Sequence, residues 1–252
     1  MALVVIDPGH GKETAGKRSP DALLLEYEFN RDVAKRIVKY LEDHGVKTLL
    51  TCLTDSVLNK NNTKDLKARC NLANKANADL FVSIHANAYD PDGNCDWNSA
   101  NGWEIFTYKN KGEGYELAKE IQSESIPYLG IRNRGIKDGS SYYVIKHTKM
   151  PAVLIEHGFY TNKTECALLK SDEFREKCAI ADAKGILKHL GIAWKEPIPE
   201  GIKEYAIEIN GVATVFKAAK INGKIYVPFA DIESMSNFTH SIDGDTLKLV
   251  SK

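Results

Sequence analysis

Ala2-Leu3-Val4-Val5-Ile6-Asp7-Pro8-Gly9-His10-Gly11 begins with five apolar residues and breaks off at Asp-Pro-Gly, the pattern of a buried strand running into a turn. The same pattern returns twice. Asp79-Leu80-Phe81-Val82-Ser83-Ile84-His85 ends an apolar run on a histidine, and Ala152-Val153-Leu154-Ile155-Glu156 ends one on a carboxylate. Strands apolar on both faces belong to parallel sheets with both faces covered. Working outward, Glu26–His44 places Phe29, Val33, Ile37 and Leu41 at four-residue steps and closes on Gly45, which predicts a helix. Val46–Thr51, Gly102–Tyr108 and Ser141–Lys146 read as further strands; Thr63–Ala78, Gly114–Ser125 and Asp172–Leu190 read as helices. The alternation predicts an α/β fold over residues 1–194, a mostly parallel sheet covered by helices on both faces.

The pattern changes after Trp194. Residues 195–202 contain Pro197 and Pro199 and read as a linker. Over residues 203–252 short alternating runs, Tyr205–Ile209, Lys224–Val227 and Thr246–Val250, are separated by Asn210-Gly211, Asn222-Gly223 and Asp243-Gly244. Such dipeptides close tight hairpins and predict a small C-terminal β-rich module for binding, targeting or dimerisation.

Composition narrows the function classes. The chain of 252 residues is 43% hydrophobic and 27% charged, with a formal net charge of zero. Nucleic-acid binders rely on a positive field to neutralise phosphates, so no nucleic-acid partner is expected. No run approaches the ~20 apolar residues that span a bilayer, so no membrane insertion is expected either. The N-terminal apolar run is short and lacks a basic flank, predicting a protein made in the cytoplasm without a signal peptide. Five cysteines without a CxxC pair point to reduced, mostly buried thiols.

Three titratable groups stand at the ends of three predicted strands: His10 follows the first, His85 ends the third and Glu156 ends the last. In an open parallel sheet, ligands bind outside the carboxyl ends of the strands. Glu26 enters from the start of its helix, in line with the inward stripe of Phe29 and Val33. A carboxylate buried there needs a cation or donors. Two imidazoles and one carboxylate match the ligand set of a catalytic zinc, which keeps a fourth position for water. Each residue also has an ordinary reading: His10 as a turn residue, His85 as a satisfied strand end, Glu26 as a helix acid interchangeable with Glu28, and Glu156 as the partner of a basic side chain. Glu156 is the hardest to dismiss, because it ends an almost wholly apolar segment. His157 beside it points to the opposite face if the strand continues.

Taken together, Val5–Gly11, Glu26 with Asn30, Arg69 with Ala73-Asn74, Ser83–Asn87 and Ile155–Asn162 resemble the signatures of type 3 N-acetylmuramoyl-L-alanine amidases. The resemblance spans about residues 3–190. It implies an α/β zinc hydrolase cutting the amide between the lactyl group of N-acetylmuramic acid and L-alanine in peptidoglycan. Carried over, His10, Glu26 and His85 hold one Zn2+ and Glu156 is the catalytic glutamate. His157 and Tyr160 stand where that family usually has apolar residues. The Asn-, Asp- and Gly-rich segment Ala88–Ala100 reads as a substrate-facing loop. Residues Ile221–Phe229 and Ile242–Leu249 resemble, more weakly, copper amine oxidase-like N-terminal modules of bacterial surface proteins, which implies wall binding rather than copper. The whole looks like a phage or prophage endolysin, released by a holin-type or lytic route, or like a host autolysin acting at the cell wall. A zinc peptidase or deacetylase acting on another bond, and a non-catalytic wall binder, are the rival readings.

Overall fold

The computed structural model describes residues 1–196 and, beyond them, the backbone of the strands within 202–209, 212–221, 224–226, 238–243 and 246–251. The chain divides into two units, Met1–Trp194 and Lys195–Lys252.

In the first unit, six strands form one sheet in the order β2-β1-β3-β6-β4-β5. They are β1 (Leu3–Pro8), β2 (Lys47–Leu50), β3 (Leu80–Asn87), β4 (Trp103–Thr107), β5 (Asn133–Asp138) and β6 (Ala152–Phe159). β1 pairs in parallel with β2 and β3, β3 with β6, and β4 with β5; β4 runs antiparallel to β6. The sheet is therefore mostly parallel, with one reversal.

Side chains of a strand alternate between faces, and here both faces are apolar. Val4, Ile6, Val82, Ile84, Val153 and Ile155 pack under α1 (Glu26–Asp43), α3 (Glu113–Leu129) and α6 (Asp172–His189). Val5, Phe81 and Leu154 face the other way, with Cys70 and Ala73 of α2 (Asn62–Lys75) and Val144 and Ile145 of α4 (Tyr143–His147). The stripe Phe29, Val33, Ile37 and Leu41 of α1 is fully buried. α3 and α6 approach so closely that a β-carbon on Gly185 would lie 2.4 Å from the Ile121 α-carbon.

One expectation fails, and two elements of the fold are not expected from the sequence. Ser141–Lys146 is not a strand. Tyr143–His147 is a short helix whose Val144 and Ile145 are buried against the sheet, so tertiary burial overrides the β-propensity of its aromatic and branched residues. β5 has no sequence signature, because it is a half-exposed edge strand with no apolar run. A further helix, α5 (Lys163–Lys170), precedes α6; the Asn162 side chain caps it by accepting from the amides of Thr164 and Glu165.

The second unit contains β7 (Ile202–Ile209), β8 (Val212–Ile221) and β9 (Lys224–Tyr226) in one antiparallel sheet, and β10 (Phe238–Asp243) with β11 (Thr246–Ser251) in another. The predicted turns Asn210-Gly211 and Asn222-Gly223, Gly244 of the third, Val227 and most of the linker lie outside the described residues.

Candidate functional site

β1, β3 and β6 are adjacent and mutually parallel, so their carboxyl ends lie along one edge. His85 and Glu156 are register partners across β3 and β6, and Glu156 is the partner of Glu104 across β4. Their side chains share a face with Phe81, Leu154 and Phe106, the face covered by α2 and α4. α1 packs on the opposite face but starts at this same edge, which brings Glu26 to the row.

His10, Glu26 and His85 converge. Glu26 is 2% exposed, while its neighbour Glu28 is exposed. One Glu26 oxygen lies 3.3 Å from His10 Nε2, the other 3.0 Å from His85 Nδ1. One ligand atom from each residue can be chosen so that all three lie within 4.8 Å of one another. The two imidazole rings meet edge-on, 5.0 Å between centroids. Among the described residues no Lys or Arg pairs with Glu26; its other neighbours are the Asn30 amide and the Ala86 N–H, both at 3.4 Å. Burial would raise its pKa, but His10 and His85 outweigh that and hold it well below the ordinary carboxylate value. Burial holds His85 below the usual imidazole value despite Glu26, which favours the neutral ring that has a lone pair to give.

The turn after β1 is built around this cluster. A β-carbon on Gly9 would lie 2.1 Å from the His85 ring, so only glycine lets the backbone pass there. His10 itself takes a positive φ of 63°, a conformation that non-glycine residues adopt at a cost. Arg69 on α2 holds the turn open by donating to the carbonyls of Pro8 (2.7 Å) and His10 (3.0 Å). Its remaining donors bind Asp7 and Asp65, each at 2.8 Å. Asn30 donates to the Gly9 carbonyl at 3.0 Å.

Glu156 lines the same cavity of about 390 Å³ as His10, Glu26 and His85. It is 7% exposed, and its Oε2 has no hydrogen-bond partner. Burial, then repulsion from Glu26 and Glu104, pushes its pKa well above the ordinary value. Glu104 escapes that fate. Arg134 donates to it at 2.5 Å, Asn87 at 2.7 Å, and Lys137 forms a further ion pair. His157 does lie on the opposite face, wholly buried, with Nε2 2.8 Å from Asp182 of α6 and Nδ1 3.2 Å from the His85 carbonyl. Tyr160 is buried at the cavity wall.

All four predicted site residues thus surround one cavity. The support around them is not visible in single segments. Asp7 carries a signal, since it is a charge closing an apolar strand, and Glu104 is a charge within one. No local pattern marks Asp182 or Arg134.

A family model described as N-acetylmuramoyl-L-alanine amidase matches residues 4–188. The amidase LytC of Bacillus subtilis is 37% identical over 188 residues, covering 74% of this chain and 35% of LytC. The endolysin of Bacillus phage SPP1 is 32% identical over 203 residues, covering 77% of this chain and 68% of the endolysin. Among solved structures, the catalytic domain of CwlV, an N-acetylmuramoyl-L-alanine amidase from Bacillus (Paenibacillus) polymyxa var. colistinus, aligns with a TM-score of 0.68 at 31% identity, over 77% of this chain and all of that domain. The chain spans only about a third of the length of LytC. With the family model covering most of the chain and the same sheet-and-helix architecture in a solved relative, the chain belongs to the N-acetylmuramoyl-L-alanine amidase family.

Proposed function

We propose that this chain is a zinc-dependent hydrolase of the amide joining the lactyl group of N-acetylmuramic acid to L-alanine in bacterial peptidoglycan. The observation that carries the reading is the pairing of a His-Glu-His cluster with an unpartnered buried carboxylate, Glu156, in one cavity.

The donor set fits zinc. Zinc bonds to N and O of about 2.0–2.2 Å at tetrahedral angles separate neighbouring donors by roughly 3.3–3.5 Å. The nearest His–Glu separations, to the two different oxygens of Glu26, are 3.0 and 3.3 Å, and one donor atom from each residue lies within 4.8 Å of the others. A buried carboxylate facing two imidazoles and no Lys or Arg also calls for a cation. His10, Glu26 and His85 would hold the ion. Such an ion supplies Lewis-acid polarisation of a carbonyl and an acidified water.

The rest falls to the protein. Glu156 Oε2 takes the proton of the attacking water and returns it to the departing L-alanine nitrogen. Its raised pKa suits both halves of that transfer, and a nearby dication moderates the rise. Asn30, Gly9 and Arg69 hold the His10 turn in place, so the acid/base group and the cluster stay in register.

Mass analysis of digested peptidoglycan tests the reading. New N-terminal alanine on intact glycan supports it. Cleaved stem peptide, lost acetyl groups, or no products at all from zinc-loaded protein would overturn it. Residues 203–252 we assign to wall binding, of the kind that the resemblance to surface modules implies. The relatives named as an N-acetylmuramoyl-L-alanine amidase, LytC, and as an endolysin, from Bacillus phage SPP1, support this reading.

A further inference from the structure

We propose that Lys17 selects substrates bearing a free carboxylate one residue beyond the scissile amide, an inference that rests on the amidase reading. The cavity wall contains four acids, Asp7, Glu26, Asp65 and Glu156, and two permanent cations, Lys17 and Arg69. Arg69 is spent, with its donors bound to Asp7, Asp65 and two backbone carbonyls. Lys17 is not. Among the described residues its ammonium has no ion pair, and the side chain is exposed at the cavity mouth.

Its backbone, by contrast, is anchored. The Lys17 carbonyl accepts from the Glu26 N–H at 2.9 Å, and the next residue bridges back to the start of α1 through Arg18 and Leu25. The Lys17 backbone is therefore fixed one hydrogen bond from the backbone of Glu26. The charge of the ammonium reaches Glu156, where it opposes the upward pKa shift.

An anionic substrate entering this cavity meets, in Lys17, an exposed ammonium that no acid among the described residues neutralises. The substrate's chemistry says which end carries the anion. The lactyl carboxyl is consumed in the scissile amide, so the glycan side is neutral there. The residue after L-alanine is a γ-linked D-glutamate, whose α-carboxyl is free in some walls and amidated in others. Lys17 would read that difference.

The test uses the full chain, zinc-loaded, and two muropeptides identical except for an α-carboxylate or an α-carboxamide on the second residue. For an exposed ion pair, kcat/KM is expected to favour the carboxylate by about two- to fivefold, carried mainly in KM. Lys17→Gln brings the ratio to one, Lys17→Arg retains it, and Lys17→Glu inverts it. Equal cleavage by the wild type, or a ratio unmoved in Lys17→Gln, overturns the inference while the amidase reading stands. Failure to cleave either muropeptide overturns both.

Discussion

Asp7 and Glu156 are both carboxylates toward the carboxyl ends of parallel strands, on the same face of one sheet, and buried to 1% and 7% exposure. Their surroundings differ completely. Asp7 receives Arg69 at 2.8 Å, the Thr51 hydroxyl at 2.5 Å and the Ser83 hydroxyl at 2.7 Å. Burial pushes its pKa up, but these partners outweigh burial and keep it below the ordinary value. Glu156 meets burial, two carboxylates and an orphaned oxygen, and its pKa rises. The same residue chemistry at equivalent strand ends is a structural anchor in one case and, in the proposed mechanism, a proton carrier in the other. Partners decide, not position.

Breaking the reactive side should produce the largest effect. Glu156→Gln is expected to cut peptidoglycan hydrolysis by about 100- to 10,000-fold, the usual contribution of a positioned acid/base group. Zinc content by atomic absorption should stay stoichiometric and Tm should not fall, because a buried carboxylate without partners is removed. A variant with near-normal turnover would end the assignment.

Breaking the anchored side should cost stability instead. Arg69→Met strands the Asp7 carboxylate without its cation and is expected to destabilise the fold by about 3–5 kcal/mol in urea titrations. Equal stability would mean that Asp7 is held by its hydroxyl donors alone.

The cluster between them sits lower on the scale. Chelation of the metal is expected to lower Tm, because free zinc at 100 times its Kd stabilises a folded state by ~2.7 kcal/mol. His85→Ala should abolish that chelator response. A Tm indifferent to chelator in the wild type would remove the metal from the account.

Titration gives the smallest effect and sharpens the comparison. A carboxylate whose folded pKa is depressed contributes stability that is present above its unfolded pKa and is lost as pH falls through the folded value. For Asp7 that window lies below about pH 4. Thermal melts across pH 2–6 should therefore show an acid loss of stability that is shallower in Asp7→Asn. Parallel pH curves for the two proteins would place the depressed pKa elsewhere.

Much of the fold and of the candidate site is legible in the sequence. β1, β3 and β6 stand out as apolar runs, and the groups that line the cavity stand near their carboxyl ends: His10 just past Pro8, His85 just before Asn87 and Glu156 before Phe159. The spacing of Glu26 from Phe29 and Val33 puts it on a helical stripe, and the exposure of Glu28 resolves which acid turns inward. The direction of β4 is not legible, since apolar strands of either sense look alike. Nor is β5, whose residues Asn133–Asp138 are half-exposed and polar. Tyr143–His147 misleads because burial, not intrinsic preference, decides its helix.

Periodicity and the types of residue at strand ends thus determined the class of fold and the chemistry available to it: two imidazoles, two carboxylates and a shared edge. Only the folded arrangement decided which carboxylate is quiet. Arg69 lies 62 residues from Asp7, and Glu104 and Glu26 lie far from Glu156 in the chain. The pKa of a buried group is set by the charges and donors within a few ångströms, and sequence separation carries no information about that distance.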